Sequence, residues 1–299
     1  MLNHSTEIDD LSNTLKDKSF KLERSNFDVK GWTLANSESL NLIKKIRSSG
    51  VPLNEYVNRE FYYGIKTGFN EAFIIDLDTK NKLIEQDSTS AELIKPWLRG
   101  KDINRWFGDY HNLYVIFTRQ GIDIFQYPAI LQHLEQYKEK LEPKPSNYST
   151  NLNWPGRKGG PYKWYEIQDN VAYYQSFGKR KIVFNETSKK LNAFIDNKGM
   201  YINKTGFIIL SDNANYLLGV LNSQLMDYLY RCEFPSWGDP WKGGRIQFRG
   251  DRMETVPIVT PSKEEQDHIE VCVKKILTLK EQNPAADVTD LESKINEMI

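Results

Sequence analysis

The stretch Tyr62–Leu77, YYGIKTGFNEAFIIDL, combines Gly-x-x-x-Gly, a Lys-Thr pair and an apolar run. A phosphate loop here would make the chain a nucleotide-binding α/β protein. A P-loop needs a glycine directly before Lys-Ser/Thr and another further upstream. Ile65 precedes Lys66 instead, and no glycine stands at the upstream position. The order of elements is also inverted. Phosphate-binding turns leave a strand and open a helix, whereas this turn leads into an apolar run, Ala72–Leu77, that reads as a strand. The stretch is therefore a tight turn feeding a strand.

The rest of the chain is compatible with that reading. Its 299 residues are 39% hydrophobic and 27% charged, which suits one large domain with a helical appendage or two modest domains. The formal net charge is zero, so any nucleic-acid surface must arise from charge segregation. Cys232 and Cys272 are too few for a disulfide framework or a zinc site and read as buried free thiols on helices, which suits a reducing cytoplasm. No apolar run approaches the roughly 18 residues that span a bilayer. The polar, acidic start MLNHSTEIDD carries no secretory signal.

Periodicity predicts an α+β fold of small mixed sheets, packed helices and a C-terminal helical pair. SESLNLIKKIRSSG is a helix with Ser37 as N-cap and a stripe of Leu40, Ile43 and Ile46. SAELIKPWLRG reads as a short helix broken at Pro96, and Asn112–Thr118 as a buried strand. YPAILQHLEQYKEKLEP is an amphipathic helix stopped by Pro143. RKIVFNE, NAFID and TGFIILS are three strands, with a turn at Asn197-Lys198-Gly199. SDNANYLLGVLNSQLMDYLYR is one helix capped by Ser211 or Asp212, and ETVPIVTPS is extended. Ser262 and Glu265 form a capping box ahead of a stripe of Ile269, Cys272, Val273 and Ile276. After Asn283-Pro284 a last helix carries Leu291, Ile295 and Met298. Two long segments, 143–168 and 234–250, are rich in Gly and aromatics without periodicity, and a long loop of that kind in a compact domain is usually functional. The chain divides into a polar leader (1–30), a central domain (31–260) and a C-terminal helical segment (261–299).

Familiar chemistries find no support. An exocyclic-amine methyltransferase needs a Pro-Pro-aromatic loop, and Asp239-Pro240-Trp241 and Asn283-Pro284-Ala285 both lack the second proline. The Glu-x-Lys strings at Glu142 and Glu292 lie at helix ends or within helices rather than at strand ends, which disfavours an independent nuclease. His4, His111, His133 and His268 lack metal-ligand spacing, and His133 and His268 read as solvated or packed helix residues.

What remains is segregated positive charge beside aromatics. Lys95, Arg99, Lys101 and Arg105 stand against Asp102 alone, and Lys242, Arg245, Arg249 and Arg252 against Asp251 alone. Loop 143–165 adds Lys144, Arg157, Lys158 and Lys163 beside Trp154 and Trp164, with no acid. The compensating carboxylates lie elsewhere, as at Glu85, Asp87 and Glu92. Three basic loops can track a phosphate backbone, and Gln247 with its neighbouring arginines has donors for base edges.

The order of segments resembles a known family. LNEY (53–56), GIKTGFNEAFIID, LIKPWLRGKDINRW, then KRKIVFNE, GFIIL, YLLGVLNSQLMDYLY and VPIVTPSKEEQDHIEVCVKKIL are similar to the TaqI-like C-terminal specificity domain of type IIG restriction–modification enzymes and related adenine methyltransferases. The resemblance covers about residues 31–299 and implies a domain that reads a short sequence of double-stranded DNA. It also implies a non-catalytic fragment, whose methyltransferase lies upstream with S-adenosylmethionine and Mg²⁺, so that no cofactor is held here. Lys66, Thr67 and Asn70 look like a fixed turn near the DNA or the catalytic domain, and Arg99-Gly-Lys101-Asp102 like the family's RGKDI element. Base readout is expected from 143–168 and 234–250. The competing expectation is a protein-interaction scaffold in phage defence, which zero net charge favours.

Overall fold

A four-stranded antiparallel sheet lies at the centre, ordered Ala193–Asp196, Lys181–Asn185, Gly206–Ile209 and Phe61–Tyr63. Successive side chains of a strand point to opposite faces. Ile182, Phe184, Ile195, Phe207, Ile209 and Phe61 accordingly join one core, while Val183, Phe194 and Ile208 join a second. A sheet covered on both faces explains why RKIVFNE and TGFIILS are continuous apolar runs rather than alternating ones. The computed structural model describes residues 27–28, 31–32, 37–148 and 153–299. Of the expected leader only Phe27–Asp28 is among them, paired with Gly31–Trp32, and the rest of 1–30 lies outside the described residues.

The first core is closed by helices Ser37–Ser48, Ala214–Leu221, Gln224–Glu233, Lys263–Gln282 and Thr289–Met298. Ile269, Val273, Ile276 and Ile295 are buried in it, so the C-terminal pair shares a core with the central sheet. The expected capping box is present: Ser262 Oγ accepts from Glu265 N–H at 3.3 Å, and Glu265 Oε2 accepts from Ser262 N–H at 2.8 Å. Cys232 and Cys272 are half-buried rather than enclosed. The second core is closed by a mixed sheet ordered Tyr201–Ile202, Ile94–Leu98, Tyr114–Ile116 and Ile74–Ile75, with helices Leu77–Gln86 and Pro128–Glu135 outside it. The expected class, small mixed sheets with packed helices, is the observed one. No helix among the described residues is long and apolar enough to cross a membrane.

Several boundaries differ from the expectations, each for a local reason. The run Ala72–Leu77 is not one strand. Asn70–Phe73 is a helical turn and Ile74–Ile75 a short strand; Asp76 then caps helix Leu77–Gln86 by accepting from Thr79 N–H at 2.8 Å. The helix expected around Pro96 is a 3-10 turn, Ser88–Glu92, followed by strand Ile94–Leu98. There, burial of Ile94, Trp97 and Leu98 outweighs the missing proline donor. The amphipathic helix breaks between Glu135 and Lys138. The helix expected from Ser211 to Arg231 is two, because Ser223 caps a new one by accepting from Met226 N–H at 3.2 Å. Segment 234–250 is not wholly a loop. Ser236–Trp237 and Arg245–Gln247 form a hairpin that extends onto Thr187–Ser188.

His133 is half-buried with Nε2 3.0 Å from the Ala72 carbonyl, and burial lowers its pKa from 6.5. A folded-state value below the unfolded one means that the unfolded chain binds more protons in the window between them. The stability tied to neutral His133 is therefore complete above pH ~6.5 and falls as pH drops through the lowered folded value. Denaturation of wild type and His133→Gln between pH 4.5 and 7.5 should show a steeper acid loss in wild type; parallel curves would contradict the assignment.

Candidate nucleic-acid interface

The turn in YYGIKTGF is built by close backbone approach. Gly64 N–H donates to the Gly206 carbonyl and Ile65 N–H to that of Ile202, both at 2.8 Å. A Cβ on Gly64 would lie 1.9 Å from the Asn203 carbonyl oxygen, so only glycine fits. Gly68 has φ +89° and packs on Arg157, whose Cδ would be 2.7 Å from an added Cβ. Lys66 N–H donates to Asp169 Oδ2 at 3.0 Å, and the Lys66 side chain is half-buried. Asn70 is exposed at the start of its helical turn and accepts from Thr67 Oγ1 at 2.7 Å.

Arg157 is the keystone of this arrangement and is only 4% exposed. Its Nε donates to the Leu141 carbonyl at 2.7 Å. Nη1 donates to those of Thr67 at 3.0 Å and Glu166 at 2.7 Å. Nη2 donates to those of Lys163 at 3.1 Å and Trp164 at 2.9 Å. The planar fork thus ties loop 143–168 to the turn, using the donor geometry that distinguishes arginine from lysine. Burial lowers its pKa to about 10, which leaves it charged at neutral pH. Glu166, also buried, closes the same loop by accepting from Gly121 N–H at 2.8 Å and Lys163 N–H at 2.7 Å.

The RGKD element sits beside the turn. Arg99 Nε and Nη2 grip the buried Asp102 carboxylate at 2.5 and 2.9 Å, and that hydrogen-bonded anion raises the guanidinium above its ordinary range. Asp102 holds its basic neighbour Arg99 in place, and Lys101 is exposed. Asn203 Oδ1 accepts from Gly100 N–H and from Thr205 Oγ1, both at 2.9 Å. Asn70, Arg99, Lys101, Asn203 and Thr205 together line one open pocket.

The hairpin joins through the backbone. Glu186 N–H donates to the Thr205 carbonyl at 2.8 Å, and Phe248 N–H to that of Glu186 at 2.6 Å. Tyr63, 48% exposed on the edge strand, packs its ring against Gly250. The turn, the RGKD element, loop 143–168 and the hairpin are thus connected through Arg157, Asn203 and Glu186. Lys158, Lys163, Lys242, Arg245 and Arg249 are exposed on these elements, while Trp154, Trp164 and Gln247 are half-buried. Trp154 Nε1 donates to the Glu142 carbonyl at 3.1 Å. Arg249 pairs with Asp251 at 3.3 Å, but both are more than half exposed, so the pair contributes little.

Three of the expected contact residues are placed otherwise. Thr67 is 1% exposed and Arg157 is caged, so both belong to the framework. Arg105 directs Nε to Glu292 Oε1 and Nη2 to the Asn222 carbonyl, each at 2.7 Å, against the C-terminal helix. Conversely Asn203, Thr205, Asp169 and Tyr63 enter the arrangement with no sequence signal, because their partners are distant in the chain. Among the described residues, no group of three His, Cys, Asp or Glu side chains is arranged to hold a metal ion.

The family model described as the TaqI-like C-terminal specificity domain matches residues 95–258. The type II methyltransferase M.MjaIV of Methanocaldococcus jannaschii is 25% identical over 246 residues, covering 79% of this chain and 76% of that protein. The solved structure of the type IIL restriction-modification enzyme MmeI in complex with DNA superposes on 80% of this chain with TM-score 0.53 at 14% identity. The type IIG restriction endonuclease BpuSI covers 87% of this chain with TM-score 0.45 at 12% identity. The MmeI likeness shows a shared fold. This chain spans about a third of each of those two enzymes, 32% in both cases.

Proposed function

The chain belongs to the TaqI-like C-terminal specificity domain family, and from that premise we propose that it reads a short sequence of double-stranded DNA for a restriction–modification methyltransferase. The observation that carries the reading is the tying of three basic loops to one glycine turn. A chain with zero net charge binds a polyanion only where its cations are gathered, and these loops gather them. Lys66, Lys101, Lys158, Lys163, Arg245 and Arg249 would contact phosphates and set register, while Gln247 and Lys242 would face base edges. The methylated base would be adenine. S-adenosylmethionine and any Mg²⁺ would belong to the methyltransferase part, which these residues would orient.

Binding to a random 30-base-pair duplex at several salt concentrations tests this. Each phosphate neutralised contributes a log–log slope of about −0.9. Wild type should show a slope of several units. Lys101→Ala should weaken binding to all sequences alike and reduce the slope by about 1. Arg105→Ala should leave DNA affinity unchanged, because its guanidinium faces Glu292. A protein-interaction scaffold would show no DNA binding even at low salt.

A further inference from the structure

Trp237 is 68% exposed, an unusual position for the largest apolar side chain. It sits on the edge strand of the hairpin, directly opposite Arg245, which is also exposed. Their outward direction is fixed by alternation, because Ile246 between Arg245 and Gln247 is fully buried and anchors the strand. The tip is equally well held. Asp239 caps it by accepting from Trp241 N–H at 2.9 Å, and its carbonyl accepts from Gly244 N–H at 2.8 Å. Arg231 donates to the Pro240 carbonyl, pairs with Asp227 at 2.8 Å and lies 5.5 Å from the Trp241 ring centre. An exposed indole on a hydrogen-bonded hairpin, opposite an exposed arginine, is placed for a partner with apolar faces and negative charge.

We propose that Trp237 is a base-stacking contact of the DNA-reading surface, a ring placed against the bases of the duplex while Arg245 takes an adjacent phosphate. The inference rests on the DNA-reading function above and adds an apolar term to it. Charge complementarity selects duplex DNA as the occupant, since base faces and phosphates together match an indole beside a guanidinium. A ring between or against base steps contributes salt-independent affinity, unlike the lysine contacts.

The full chain is titrated with the same random duplex. Trp237→Ala should bind about tenfold or more weakly with an unchanged salt slope, and Trp237→Phe should restore most of the affinity. Arg245→Ala should instead lower the slope by about 1. Thermal melting should be unaltered in all three variants, because both side chains are exposed. Wild-type affinity in Trp237→Ala would overturn this inference while leaving the DNA-reading function intact, and would assign the indole to a protein surface. Failure of the wild-type chain to bind at low salt would overturn the function and the inference together.

Discussion

Replacing Arg157 with alanine should lower the unfolding free energy by about 3–5 kcal/mol, measured by urea denaturation. The substitution removes five hydrogen bonds to carbonyls and leaves those acceptors without their charged donor. Each unsatisfied buried group costs about 1–3 kcal/mol, and water entering the vacated space recovers part of the sum. Arg157→Lys should retain most of the loss, because one ammonium cannot span carbonyls of residues 67, 141, 163, 164 and 166. The guanidinium also lies over the Phe73 and Tyr162 rings at 5.7 and 4.5 Å, contacts that both substitutions disturb. If Arg157 were an ordinary phosphate contact, the variant would keep its stability and lose only DNA affinity. The structure predicts the reverse order: unfolding first, with weaker DNA binding as its consequence.

Asp196→Ala should cost a similar amount, about 3–5 kcal/mol. Lys181 is fully buried, with Nζ 2.5 Å from both Asp196 Oδ2 and the Phe177 carbonyl. Removing the carboxylate strands an ammonium between the two cores. It also releases the N–H groups of Lys198 and Met200, which the carboxylate accepts at 2.7 and 2.8 Å. Lys181→Met should cost less, because Asp196 keeps those two donors. The pH dependence separates the two. Burial holds the Lys181 pKa below 10.5 in the folded protein. Between that lowered value and the unfolded one the unfolded chain binds more protons, so stability rises with pH across the window. Without Asp196 the folded value drops further and the window widens. The deficit of Asp196→Ala relative to wild type should therefore shrink as pH rises toward the unfolded lysine value of about 10.5, whereas that of Lys181→Met should not. A constant deficit of Asp196→Ala would show that its cost lies in the turn 197–200 rather than in the stranded charge.

These two residues also mark where sequence reading stops. The central strands were legible because a sheet buried on both faces needs continuous apolar runs, as in Ile182–Phe184 and Phe207–Ile209. The C-terminal helix was legible because the capping box at Ser262 and the stripe from Ile269 to Ile276 are local signals. A lysine at a strand start and an arginine in a Gly-Pro loop carry no local sign of burial. Their partners lie tens of residues away or are backbone carbonyls that no side-chain pattern reveals. Arg157 thus read as one more member of a basic loop, and Arg105 as a neighbour of Lys101 rather than the partner of Glu292. Helix Leu77–Gln86 was hidden by the apolar run ahead of it, although Asp76 and Thr79 formed a usable cap signal. The glycine turn shows the opposite case. Its order excluded a nucleotide loop at once, while its role in joining three elements depends on Asn203 and Arg157, which only the folded chain brings to it.

Hydrogen exchange of the full chain, with and without a random duplex at low salt, locates the DNA-binding surface, since protection reports where backbone opening is suppressed. Binding across the joined loops predicts protection at 64–70, 99–102, 156–168, 203–206 and 236–250, with none along Lys263–Gln282 or Thr289–Met298. Protection concentrated on those C-terminal helices, or no protection where binding is measurable, would contradict it.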